Sequence, residues 1–126
     1  MAFSPQGPGS EGFTDDSWAS MRNVPFLTAT GLGDDAGDED PLVRRQAHYD
    51  MPPGDRYQLF VCDTLGGHGA FALAAGKTPR PYATGLIAVA TAFLDTFVQG
   101  SRDAAAWLAS GNAVAATAGG VEWSVR

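Results

Sequence analysis

The sequence predicts an α/β fold: a three-layer arrangement with helices packed on a partial parallel sheet. Three observations carry this. Residues 57–62, Tyr-Gln-Leu-Phe-Val-Cys, form an unbroken strand-compatible run in which only Gln58 is clearly polar, bounded by turn residues on both sides. Such a run reads as a strand buried on both faces. Residues 82–99 repeat apolar side chains at helical spacing and stop at Gly100. The segments also alternate strand, helix, strand, helix, strand, helix with short connections, which implies right-handed crossovers and a parallel sheet.

The elements follow in chain order. Ala2, Phe3 and Ser4 form a short strand, closed by the Pro/Gly-rich turn 5–9. Residues 15–21 open with two aspartates that suit the positive end of a short helix. Residues 24–30, Val-Pro-Phe-Leu-Thr-Ala-Thr, are the next strand, with Pro25 tolerable near its start. The loop after Gly31 holds five of the chain's fourteen acids, and Pro41 suits the first turn of a helix running to about Met51. Residues 52–55 stop that helix and lead into the central strand. The long helix near 81–99 is expected to bury Leu86, Ile87, Ala90, Phe93, Leu94 and Phe97. Ser101 suits the N-cap of a short helix over 102–109, and residues 110–126 read as a weakly structured tail.

Length and composition narrow the function. One domain of 126 residues can bury a core, and 44% hydrophobic with 17% charged residues marks a globular chain. A net charge of -6 with eight scattered Lys and Arg argues against nucleic acid or an anionic membrane surface as partner. The single cysteine, Cys62, excludes a disulfide framework and a thiolate metal cluster, and it reads as a small buried hydrophobe. No cofactor is expected. No apolar stretch reaches the roughly 20 residues that span a bilayer. The first residues carry no export signal, so the compartment is unassigned, with the cytoplasm as default.

The chemistry concentrates in two loops. After the central strand comes Asp63-Thr64-Leu65-Gly66-Gly67-His68-Gly69-Ala70-Phe71. Its glycines allow positive φ on both sides of His68 and so let the backbone turn sharply and present the imidazole. In a parallel sheet this loop and the loop after residue 30 open on the same edge, where open α/β sheets place their chemistry. Asp34 or Asp35 then comes from one loop and His68 from the other. A carboxylate accepting the Nδ1 proton fixes the tautomer and stabilises the imidazolium formed during acyl transfer. Acid precedes base, as in α/β-hydrolases.

These segments resemble a known family. Residues 24–34, VPFLTATGLGD, are similar to the strand and acid loop of bacterial α/β-hydrolases of the dienelactone-hydrolase and acetylhydrolase-like group. Residues 53–57 and 67–71 are similar to the last strand and histidine loop of that group, and residues 91–97 and 106–108 to its C-terminal helix and tail. Ser4-Pro5-Gln6-Gly7 resembles the strand end before the acid strand. The resemblance implies a serine hydrolase acting on carboxylic esters or lactones, with Asp34 as triad acid and His68 as base. The loop departs from the family in reading Gly31-Leu32-Gly33 where Thr usually follows the first Gly, and adjacent Asp35 is the other choice of acid. The family's nucleophile sits in a G-x-S-x-G elbow, and no such pattern occurs here. The nearest approach is Pro8-Gly9-Ser10-Glu11-Gly12, where a polar surface turn is the favoured reading of Ser10.

The expectation is therefore the last third of a hydrolase, carrying acid and base, with the elbow supplied by polypeptide upstream of Met1. The alternative is a non-catalytic α/β interaction module or degenerate remnant that self-associates through the open sheet edge at residues 2–4. Other candidates carry less. The acids at 34–40 lack the spacing of a calcium loop. His48 lies on a charged helix and reads as a surface residue, with no partner at metal-ligand spacing. Trp107 and Trp123 read as packing anchors.

Overall fold

The six residues of β3 (Arg56–Val61) are all buried, as the sequence run requires of an interior strand. The computed structural model describes residues 1–9, 11–35, 39–64, 68 and 80–126. In chain order the elements are β1 (Ala2–Phe3), β2 (Phe26–Gly31), α1 (Pro41–Asp50), β3, α2 (Arg80–Phe97), α3 (Arg102–Ala109), α4 (Asn112–Ala116) and β4 (Val121–Val125). The strands form one sheet in the order β1-β2-β3-β4. β1 pairs with β2 in parallel through Ala2↔Thr28 and Phe3↔Ala29, and β2 pairs with β3 in parallel from Phe26↔Arg56 to Gly31↔Val61.

The fourth strand corrects the all-parallel expectation. β4 runs antiparallel to β3, from Tyr57↔Val125 to Val61↔Val121, so the sheet is mixed and the architecture is of α/β type. The segment read as a weakly structured tail supplies both α4 and β4. Ala113, Thr117 and Val121 from it are buried.

Alternate residues of the central strands point to different helices, as the period of a strand dictates. Leu27, Ala29, Tyr57, Leu59 and Val61 share a core with Leu86, Val89 and Phe93 of α2 and with Leu108 of α3. Fully burying a side chain of this kind contributes about 1.5–3 kcal/mol. The Tyr57 ring sits among Phe93, Phe97 and Trp123, with ring centroids 5.7–5.9 Å apart. The intervening residues meet α1 through polar groups, since Gln58 donates to the Arg45 carbonyl at 3.0 Å. A smaller cluster of Trp18, Ala47 and Met51, with Phe13, Met21 and Phe26 against it, anchors α1 and the segment before β2. The buried Arg56 guanidinium donates to the carbonyls of Met21 and Val24, tying down that same segment.

Helix ends follow the capping rules. Asp40 accepts from Leu42 N at 2.9 Å with Pro41 in the first turn of α1, and Ser101 accepts from Ala104 N at 3.2 Å at the start of α3.

Four further expectations are corrected. Residues 15–20 form successive turns instead of a helix, held by Ser17 N to Thr14 O, Ala19 N to Asp16 O and Met21 N to Trp18 O. α2 buries Leu86, Val89, Ala92 and Phe93, while Ile87 and Leu94 stand 56% and 44% exposed. The helix is apolar on most of its circumference, so hydrophobicity alone did not fix its inward face. Cys62 follows the last residue of β3 and is exposed. His48 is fully buried, because α1 turns the stripe Arg44, Ala47, His48 and Met51 inward. Among the described residues no helix is long and apolar enough to cross a membrane.

Candidate active site

The site is built where β1, β2 and β3 end. Their parallel register brings the loops that follow them to one edge of the sheet, and close backbone approach packs those loops together. A Cβ on Gly33 would lie 2.9 Å from the Thr64 carbonyl oxygen, so glycine lets the loop after β2 lie directly against the loop after β3. A Cβ on Gly7 would meet the Val43 carbonyl oxygen at 2.7 Å, which seats the turn after β1 on α1 in the same way. Tyr82 donates its hydroxyl to Asp63 Oδ2 and so joins the start of the third loop to α2. That hydrogen bond, with burial, pushes the phenol up to about 12.

Asp34 and His68 meet in this setting. Asp34 is completely buried, and its Oδ1 lies 2.7 Å from His68 Nδ1. Asp35, the alternative acid, is exposed. Oδ2 accepts from Thr30 Oγ1 at 2.7 Å, and the Asp34 amide donates to Gly31 O at 2.9 Å, a turn that aims the carboxylate back under the sheet edge. The His68 side chain is 46% exposed. It is the one residue of the 65–71 loop within the described residues, and Ser10 lies outside them.

Three residues not read as functional from the sequence complete the cluster. Ser4, just past β1, places its hydroxyl 2.9 Å from Asp34 Oδ1, 3.1 Å from His68 Nδ1 and 3.0 Å from Arg44 Nη1. Arg44 is buried and pairs through Nε with Glu39 Oε2 at 3.0 Å, standing 3.9 Å from Asp34 Oδ1. Glu39 Oε1 in turn accepts the Gly7 amide at 3.0 Å. The spacing of Arg44 with Ala47 and Met51 was the available signal, since it puts a guanidinium on the inward stripe of α1.

Donor and acceptor counting assigns the proton. Guanidinium only donates, so the Ser4 oxygen accepts from Arg44 and its single hydrogen goes to Asp34 Oδ1. An ionised Oδ1 at 2.7 Å from Nδ1 then requires the hydrogen on Nδ1, because two facing lone pairs would repel. In the neutral ring this is the Nδ1–H tautomer, which leaves an acceptor lone pair at Nε2. Such a ring takes a proton from a group approaching Nε2 while its orientation stays fixed from behind.

Two surface depressions lie elsewhere. One of about 180 Å³ is lined by Asn23, Val24, Pro53 and Arg56 at the amino ends of β2 and β3, and one of about 440 Å³ lies between α2 and α3 beside Trp107. Neither touches Asp34 or His68. Among the described residues no cluster of three or more His, Cys, Asp or Glu side chains could hold a metal ion. No protein-family model matches the chain, and neither does any curated protein or solved structure.

Proposed function

We propose that this chain carries the acid and base of a serine hydrolase acting on carboxylic esters or lactones, in the three-layer setting of the last strands and C-terminal helix of an α/β-hydrolase fold. The observation that carries the reading is the 2.7 Å contact between a fully buried carboxylate and a half-exposed imidazole at the carboxyl ends of adjacent parallel strands. In this reaction His68 Nε2 takes the proton of a serine hydroxyl as the serine oxygen attacks the ester carbonyl. Asp34 holds the ring and stabilises the imidazolium. The tetrahedral intermediate collapses, the leaving alkoxide takes the proton from Nε2, and water repeats the cycle to release the acid.

The serine is assigned to polypeptide outside these 126 residues. Ser4 stands on the Nδ1 side, already committed to Asp34 and Arg44, and the sequence contains no G-x-S-x-G. That missing elbow also favours a second reading, a non-catalytic α/β module docking through the free edge of β1.

The gene's full product, assayed on p-nitrophenyl acetate and labelled with a fluorophosphonate, separates the two. Hydrolysis and labelling are expected, with His68→Ala lowering kcat by on the order of 10³-fold or more. A product that is unlabelled, or whose turnover survives His68→Ala, overturns the hydrolase reading.

A further inference from the structure

We propose that Ser4 is a positioning residue whose hydroxyl relays Arg44 to Asp34 Oδ1, so that His68 shares that oxygen with a neutral donor instead of a directly bonded guanidinium. For its catalytic meaning this rests on the hydrolase reading; the geometry stands without it.

The hydrogen bonds run in one direction. Arg44 Nη1 donates to Ser4 Oγ at 3.0 Å, Ser4 donates to Asp34 Oδ1 at 2.9 Å, and His68 Nδ1 donates to the same oxygen at 2.7 Å. The guanidinium is thus relayed to the acid through a neutral hydroxyl. Its Nε stays 3.9 Å from Oδ1 while pairing with Glu39 at 3.0 Å. Without the hydroxyl, a buried cation stands near a buried anion without that neutral relay, and charge-assisted pairing is the stronger bond on offer. Arg44 closing on Oδ1 would compete with Nδ1 for the lone pairs that hold the ring.

The backbone supplies the second strand of the argument. Ser4 has φ +54, a conformation that favours glycine, and its amide donates a hydrogen bond to Ala29 O at 2.7 Å. A strained non-glycine residue at a cluster of catalytic-type groups is the pattern expected where the side chain is needed. Here that side chain makes three polar contacts and reaches no nucleophilic position.

The strain also provides a clean test. Ser4→Gly removes the hydroxyl while relieving the backbone, so its effects on folding and on the ring separate. The measurements are the thermal midpoint and the ring ¹⁵N shifts of His68, which report the tautomer of the neutral imidazole, with His48→Gln assigning the second histidine. Wild type is expected to be predominantly Nδ1–H. Ser4→Gly should hold or raise the midpoint while moving the population toward Nε2–H, and Ser4→Ala should move the ring the same way with a lower midpoint. In the gene's full product Ser4→Gly should lower kcat on p-nitrophenyl acetate by on the order of tenfold with KM little changed. An unchanged tautomer in Ser4→Gly overturns the proposal. Absence of hydrolysis in the wild-type product overturns the hydrolase reading instead, and the ¹⁵N measurement still decides the role of Ser4.

Discussion

His48 makes the sharpest prediction about stability, because it is the histidine that must stay neutral. It is fully buried on α1, with Nε2 at 3.2 Å from Ser124 Oγ and, among the described residues, no hydrogen-bond partner at Nδ1. Burial first, and then the positive charges of Arg126, Arg45 and Arg56, lower it from 6.5 to about 4. The unfolded chain therefore takes up this proton as pH falls through 6.5, and the folded chain only near 4. The contribution to stability is full above the first value, declines between the two and is flat below the second. At about 1.4 kcal/mol per pH unit the interval is worth roughly 3 kcal/mol, and relaxation around the charged ring trims this to about 2 kcal/mol. That is a large part of a typical stability of about 5–15 kcal/mol. His48→Gln keeps an amide for Ser124 and does not titrate. Urea unfolding of both proteins should show the wild type losing about 2 kcal/mol more than the variant between about pH 7.5 and pH 4.5. Carboxylates that titrate over this range are common to the two proteins and cancel. Equal pH dependence in the two would refute the reasoning.

Two further predictions concern the loops of the site. Gly33→Ala drives a Cβ to 2.9 Å from the Thr64 carbonyl, a backbone atom that cannot rotate away. It should cost about 1–3 kcal/mol by chemical denaturation and weaken the Asp34–His68 contact, read as an upfield move of the Nδ1 proton resonance. Tyr82 is raised from 10.0 to about 12, so what the protonated phenol contributes is present below the lower value and lost as pH climbs to the higher. A phenolate absorbance titration of the three tyrosines should therefore end on a late step that Tyr82→Phe removes.

The central strand, the strand carrying the acid, α1, and α3 with its cap were legible because each rests on local chemistry. An unbroken apolar run, Pro41 in a first turn and Ser101 before a helix need no tertiary knowledge. The pairing of Asp34 with His68 was legible for a topological reason, since parallel strands send their following loops to one edge. What failed depended on context. Val121, Trp123 and Val125 alternate with Glu122 and Ser124, a strand signal, but five residues do not say which way the strand runs or beside which neighbour. α2 carries apolar residues around most of its circumference, so the inward choice of Val89 over Ile87 belongs to the sheet it meets. Arg44 and His48 occupy inward positions of α1, and a reading keyed to hydrophobicity assigns such residues to solvent. Ser4 was invisible for a different reason. Its significance lies in a φ angle and three distances to residues 30, 40 and 64 positions away.

The buried ionic groups at this edge of the sheet are costly as packing alone, which fits the acid and base proposed above. Desolvating a charge costs several kcal/mol even after relaxation, and buried ion pairs are often replaceable by apolar residues without loss. Position 44 is buried on the same stripe as Ala47 and Met51, which belong to the small cluster around Trp18. The chain spends a guanidinium there, matches it with Glu39, and leaves Asp34 at 3.9 Å with its nearer oxygen turned to His68. Glu39 compensates Arg44, Arg44 orders Ser4, and Ser4 and Thr30 fix the two oxygens of Asp34. Each contact in that series constrains the next, and the last one constrains a ring that is half open to solvent. Five buried or part-buried polar side chains that converge on one exposed imidazole are costly as a packing solution and suit the role of base proposed for that ring.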